Sequence, residues 1–232
     1  MRNTVVIVQY RLLHYRLELF EQLRQACANR GICLELVVGQ ATRRERARAD
    51  EGNLPWARKV VNKVWEVGGR DWLWQPLPRE VADAGLVVVM QENRLLSNYG
   101  LILRRLLGGK VAVAYWGHGR NFQSERPNGW RERWKRLMIL PVDWWFAYTP
   151  SSAEIVRQAG FPAERITCLN NAINGAGFIA DLQSVSAGEL AEARQSLGMA
   201  EQAQVAIYCG SIYAEKRIGL LLEAADLLRA RL

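Results

Sequence analysis

Gly117-His118-Gly119-Arg120-Asn121 follows directly on an apolar run at residues 111–116, and this junction is where the chain could do chemistry. Glycines on either side of a histidine let backbone N–H groups close on an anion, as in a nest. The imidazole between them could meet a substrate hydroxyl or a developing charge, or it could only satisfy a buried loop. Polar groups recur in equivalent places: Gln9 and His14-Tyr15-Arg16 after a first apolar run, Gln91-Glu92-Asn93-Arg94 after another, then Thr149-Pro150-Ser151 and Asn170-Asn171. Arg16 shares the helical face of Phe20 and Leu23 one turn earlier, so it either points across the helix end into the same crevice or makes an exposed ion pair. His14, beside Tyr15, either joins them or packs. Toward the other end, Gly210 and Lys216 have the spacing of a glycine turn opening a helix, where a lysine and backbone amides hold phosphate; a solvated lysine is the plainer reading.

The same residues exclude several chemistries. Gly117-x-Gly119 is half of a dinucleotide fingerprint, but Phe122 stands where the third glycine belongs and the turn near Gln9 has no glycine, which argues against a nicotinamide or flavin enzyme. Two histidines and four scattered cysteines, with no Cys-x-x-Cys pair, are too few for a zinc site and give no disulfide framework. No paired carboxylates at the crevice suggest glycosidase chemistry. Neither a metal nor a resident cofactor is expected.

The elements that must position these residues alternate regularly. Residues 4–9 read as a buried strand, residues 15–27 as an amphipathic helix ending near Gly31, and residues 32–38 as a second strand, a βαβ unit that implies a parallel sheet. Further strands are expected at 59–67, 86–90, 111–116, 144–148 and 166–169, with helices around 95–107, at 130–140 and from a capping box at Ser151-Ser152-Ala153-Glu154. The tryptophan-rich 71–76 reads as loop and helix start, its rings over the core or an acceptor groove, and the arginine-rich 41–53 as a mobile basic loop. Polar residues at the carboxyl ends of parallel strands share one crevice, the place where open α/β sheets bind ligands. The fold class expected is therefore α/β, a Rossmann-like doubly wound parallel sheet over residues 1–175. Residues 176–203 read as a connection with one helix at 189–197. Residues 204–232, a strand at 205–209 and an amphipathic helix carrying Ile218, Leu221, Leu222, Ala225 and Leu228, read as the truncated start of a second such domain.

Charge is divided unevenly. Residues 1–150 hold 24 Lys and Arg against 14 Asp and Glu, whereas residues 151–232 hold 7 against 9, so the basic surface belongs to the first part. Trp130, Trp134 and Leu137 share a helical face flanked by Arg126, Arg131, Arg133, Lys135 and Arg136; the face either lies at an anionic membrane surface or packs on the core. No run approaches the ~18 to 20 apolar residues of a spanning helix, and the N-terminus shows no cleavage site. The expectation is a cytoplasmic protein, peripheral at the inner face of the membrane if it meets one.

Beyond these local readings, the chain resembles the N-terminal part of family 4 retaining glycosyltransferases of the GT-B fold. The resemblance rests on Val205-Ala206-Ile207-Tyr208-Cys209-Gly210-Ser211-Ile212-Tyr213-Ala214-Glu215-Lys216, on Ala159-Gly160-Phe161-Pro162-Ala163-Glu164-Arg165-Ile166 leading to Asn171-Ala172-Ile173-Asn174, and on Trp116-Gly117-His118-Gly119. It implies transfer of a sugar, with retention, from a nucleoside-diphosphate sugar to a saccharide or lipid-linked acceptor in cell-surface polysaccharide or glycolipid biosynthesis. On that resemblance His118 is the catalytic residue near the donor sugar. Gly210, Ser211, Lys216, Gly117 and Gly119 are donor-binding, and Tyr15, Arg16, Arg120 and Asn121 acceptor-binding. Ser211 stands where the family has arginine, and Asn174 where it has aspartate. The family's paired donor-domain glutamates would lie beyond Leu232, so this chain alone is expected to be inactive. The competing class is a non-catalytic anion- or nucleic-acid-binding Rossmann-like module, but no reader element for nucleic acid is present and no nucleic acid partner is expected.

Overall fold

The β-branched run Thr4–Gln9 forms β1, which passes through a 3-10 turn at His14–Arg16 into α1 (Leu17–Ala28) and returns as β2 (Cys33–Val38), parallel to β1 with Thr4 opposite Cys33. The computed structural model describes residues 3–119, 130–171, 173–200, 202–210, 212 and 216–229. The readings for Arg120, Asn121, Arg126 and Ser211 lie outside these residues. β3 (Arg58–Lys59) adds only two residues to β2. The strand expected at 59–67 divides: after β3 the chain leaves the sheet and makes a separate hairpin, β4 (Lys63–Val67) antiparallel to β5 (Arg70–Trp74). The tryptophan-rich segment is thus a strand, not a loop and helix start. Gly68 and Gly69 both sit at positive φ, the geometry a two-residue hairpin turn demands, and Trp65 faces Trp72 across it.

The main sheet resumes with β6 (Leu86–Met90), followed by α2 (Leu96–Leu106), β7 (Ala112–Gly117), α3 (Trp130–Leu137), β8 (Trp144–Ala147), α4 (Pro150–Gln158) and β9 (Ile166–Cys168). All seven strands are parallel, in the order β3-β2-β1-β6-β7-β8-β9. The chain winds outward in one direction to β3 and in the other to β9, so the switch point lies between β1 and β6. Alternation along each strand feeds two cores. Val113 and Tyr115 of β7 join Val87, Ile102, Trp145 and Val156 on one face, while Ala114 and Trp116 join Phe20, Leu36 and Leu73 on the other. Helices cover both faces, which makes this the α/β, Rossmann-like doubly wound sheet expected.

Two local expectations are corrected. Residues 41–53 are anchored, with Ala41, Thr42 and Glu45 buried and the four arginines among the residues turned outward. The acids of this segment, not its more numerous basic residues, decide its placement: Glu51 accepts the Ala41 N–H at 2.7 Å and Asp50 accepts from Arg11 at 2.6 Å. At α4 the cap is Thr149, whose hydroxyl accepts the Ser152 N–H at 3.1 Å, and Pro150 fills the first helical position that its fixed φ suits. Glu154, assigned to a box with Ser151, binds Arg157 instead.

The chain divides into two compact units, Met1–Phe178 and Ile179–Leu232. Residues 176–203 contain two helices rather than one: α5 (Gly175–Ser184), opened by Asn174 accepting the Gly177 N–H at 3.0 Å, and α6 (Ala187–Ser196), whose Ser186–Glu189 capping box is complete. In the second unit α7 (Ile218–Arg229) forms, but Leu221, Leu222 and Leu228 of its stripe are exposed. Residues 205–209, where a strand is expected, carry no regular secondary structure and pair with no strand among the described residues, and a strand without a partner leaves its ladder unmade.

Candidate functional site

The carboxyl ends of β1, β6, β7 and β8 meet at one crest, and the first residues beyond them converge. β7 ends at Gly117, where an added Cβ would lie 2.9 Å from the Gln91 Cβ, so only glycine lets the two strand ends come this close. His118 follows, and Gly119 takes φ +75°, with Ile155 and Val156 of α4 pressing on the position a side chain would need. That backbone turns the His118 ring onto Tyr148, centroids 4.3 Å apart, and brings its Nδ1 to 3.1 Å from the Ser152 hydroxyl. Ser152 is itself fully buried and lies 3.0 Å from Thr149 Oγ1. One cap therefore both opens α4 and orients the imidazole.

Arg16 also reaches Tyr148. Its side chain is only 8% exposed, donates to the Tyr148 hydroxyl and to Gln9 Oε1 at 3.4 Å, and lies over the rings of Trp116, Tyr148 and Tyr15 at 5.2, 5.4 and 5.7 Å. Burial pushes the Tyr148 phenol up and the neighbouring guanidinium partly offsets this, so Tyr148 stays protonated at neutral pH. Among the described residues no carboxylate pairs with Arg16. Two further groups at the crest have unused hydrogen-bonding capacity: both amide atoms of buried Gln91 and the indole N–H of Trp116 are without a partner.

A few residues away the charges are closed. Glu45 accepts from the Tyr10 hydroxyl, from Arg94 and from the Thr42 N–H, each at 3.0 Å, while Arg11 donates to Asp50 and Arg94 also holds Glu92 at 2.8 Å. Burial alone would raise Glu45, but the Thr42 N–H, Arg94 and Tyr10 outweigh it and hold the carboxyl at about 2. Burial, helped by Glu92, pushes Tyr10 up to about 12.

The structure therefore brings together Tyr15, Arg16, Gly117, His118 and Gly119. His14 stays apart, bound through Nδ1 to the Asp50 carbonyl at 3.1 Å. Asn170 and Asn171 follow the edge strand β9, two strands from β7, both at positive φ. Gly210 and Lys216 belong to the second unit; Gly210 has φ +154°, and Lys216 precedes α7 rather than lying in its first turn. Sequence reasoning missed Tyr148, Ser152 and the cation–π role of Trp116. A signal existed for the first two, since Tyr148 directly follows β8 and Ser152 is the third residue after the Thr149 cap. Among the described residues no cluster of His, Cys, Asp or Glu could hold a metal, and no helix is long and apolar enough to cross a membrane.

No protein-family model and no curated protein sequence matches the chain. Among solved structures it is similar to UDP-GlcNAc 2-epimerase from Neisseria meningitidis bound to UDP-GlcNAc, at 11% identity over 84% of this chain and 54% of that one, with a TM-score of 0.46. It is also similar to UDP-GlcNAc 2-epimerase from Methanocaldococcus jannaschii, at 14% identity over 72% of this chain and 45% of that one, TM-score 0.39. A third is Anabaena Alr3699/HepE in complex with UDP and glucose, at 12% identity over 84% of this chain and 50% of that one, TM-score 0.47. The match takes in about half the length of each of these proteins.

Proposed function

We propose that this chain is the acceptor-side part of a nucleotide-sugar-dependent glycosyltransferase of the GT-B fold, with Gly210, Ser211 and Lys216 contributing to the donor diphosphate site. The observation that supports it best is the crest itself: His118, turned by two close-packed glycines onto Tyr148, stands beside buried Arg16 at the carboxyl ends of the central strands. In the reaction the bond from the anomeric carbon to the diphosphate oxygen breaks and one to the acceptor oxygen forms with retained configuration. The acceptor's proton leaves with the diphosphate. His118 stabilises the developing charge at the sugar, and Tyr15 and Arg16 hold the acceptor. The test is release of nucleoside diphosphate from a panel of UDP-, GDP- and ADP-sugars by the natural gene product that carries these residues. Turnover of one donor, a fall of about 100-fold in kcat for His118→Ala, and no turnover by residues 1–232 alone are expected. Turnover by residues 1–232 alone, or of no donor by the gene product, would overturn the proposal.

An anionic membrane at the inner face is part of the same reading, and suits a lipid-linked acceptor. α2 and α3 meet where the Trp134 indole N–H donates to the Tyr99 hydroxyl at 3.2 Å. Leu103, Leu106, Leu107, Trp134 and Leu137 are exposed there beside exposed Arg104, Arg133 and Arg136. Just beyond α3, Ile139 and Val142 join the core. Flotation with phosphatidylglycerol vesicles should capture the chain, and Glu at positions 104, 133 and 136 should cut capture several-fold; undiminished capture would remove the membrane.

A further inference from the structure

We propose that Arg16 and the groups around it form an anion-holding subsite, so that the molecule bound at this crest carries a carboxylate or phosphate group. The proposal deepens the reading of the crest as the acceptor side, and rests on it for the word acceptor but not for the anion.

The argument begins with cost. A guanidinium stays charged at any pH a protein meets, and placing one at 8% exposure forfeits hydration worth several kcal/mol. A buried arginine normally recovers this from a carboxylate. Among the described residues Arg16 has neutral partners only: the Tyr148 and Tyr15 phenols, an amide oxygen and three aromatic faces. These hold the group in one orientation without neutralising it. A fork of donors fixed in a plane and left with its charge suits the two oxygens of a carboxylate or phosphate.

The surroundings agree with an incoming anion. Five residues earlier Arg11, equally buried, is neutralised by Asp50, so this fold places acids beside arginines where the arginine is structural. Nearby Glu45 and Glu92 both pair with Arg94 rather than with Arg16, although Glu92 still acts on the Tyr148 phenol. The unpartnered Gln91 amide and Trp116 indole N–H add donors at the same crest, and the excess of basic residues in 1–150 draws anions toward it.

The test is calorimetric titration of the whole 232-residue chain with inorganic phosphate, glucuronate and glucose at constant ionic strength. At least one anion should bind while glucose, matched in size to glucuronate, binds at least about tenfold more weakly. Arg16→Met should weaken the anion about tenfold or more, and Arg16→Lys, which keeps the charge but loses the fork, should lie between. Phosphate alone binding assigns a phosphorylated ligand, and glucuronate alone an acidic sugar. Failure of both anions to bind wild-type chain, equal binding of glucose, or unchanged affinity in a folded Arg16→Met or Arg16→Lys variant would overturn the proposal. Anion binding by a gene product that turns over no nucleotide sugar would leave the subsite standing and remove only the function proposed above.

Discussion

Arg11 and Arg16 are five residues apart, leave the same end of β1 and are 6% and 8% exposed, yet one is closed by Asp50 and Glu45 while the other faces rings and a phenol. The difference teaches that burial by itself does not mark a residue as structural. In the closed network every charge has its opposite within the protein, and the network fixes residues 41–53 against β1 and the turn after β6. Around Arg16 the hydrogen bonds orient a charge without cancelling it.

The largest expected effect lies in the closed network. Glu45→Gln leaves Asp50 on Arg11 and Glu92 on Arg94 but removes the charged acceptor shared by Tyr10, Arg94 and the Thr42 N–H, and should destabilise by about 1.5 to 3 kcal/mol in denaturant unfolding; a loss under about 1 kcal/mol would show that the two regions are not energetically distinct. The pH dependence follows in size. Glu45 has a folded pKa of about 2, well below its ordinary 4.5, so its contribution is complete above about 4.5 and is lost as pH falls through about 2. The stability gap between wild type and Glu45→Gln should therefore close across that acid window, and a gap that stays constant from pH 6 to 2 would contradict the assignment. Next, Gly119→Ala places a methyl at φ +75° and 3.0 Å from Val156, and should cost about 1 to 2 kcal/mol while displacing the His118 ring. Smallest is Arg16→Met, which gives up cation–π contacts but relieves a buried charge, and should change stability by no more than about 1 kcal/mol. A loss as large as that of Glu45→Gln would make Arg16 another structural arginine.

Periodicity made most of the first unit legible. The β-branched runs at β1 and β6 and the apolar run at β7 read as buried strands, and the polar residues after them gather at one crest once the strands are parallel. What escaped depended on contacts between distant residues. Gly68-Gly69 was a readable hairpin turn, but the strand before it looked continuous with β3, and a run of tryptophans gives no alternation to separate strand from loop. Residues 41–53 read as a basic loop because of their arginines, whereas two of the Glu45 partners lie at residues 10 and 94, outside any local window. Val205 to Cys209 reads as a strand because its composition is right; a strand also needs a neighbour, and composition does not supply one. At the crest, His118 and Arg16 were legible as types at plausible positions. Their meeting through Tyr148 was not, since it joins residues 132 positions apart.

The central place of β1 also has a consequence for how the protein is made. One side of β1 pairs with β2 as soon as β2 has been made, but its other side waits for β6, at Leu86–Met90. At about 5 to 20 residues per second, a nascent chain carries that apolar strand with one edge open for roughly 4 to 16 seconds. Slowing translation between β2 and β6 should cost more soluble yield than slowing it after β7.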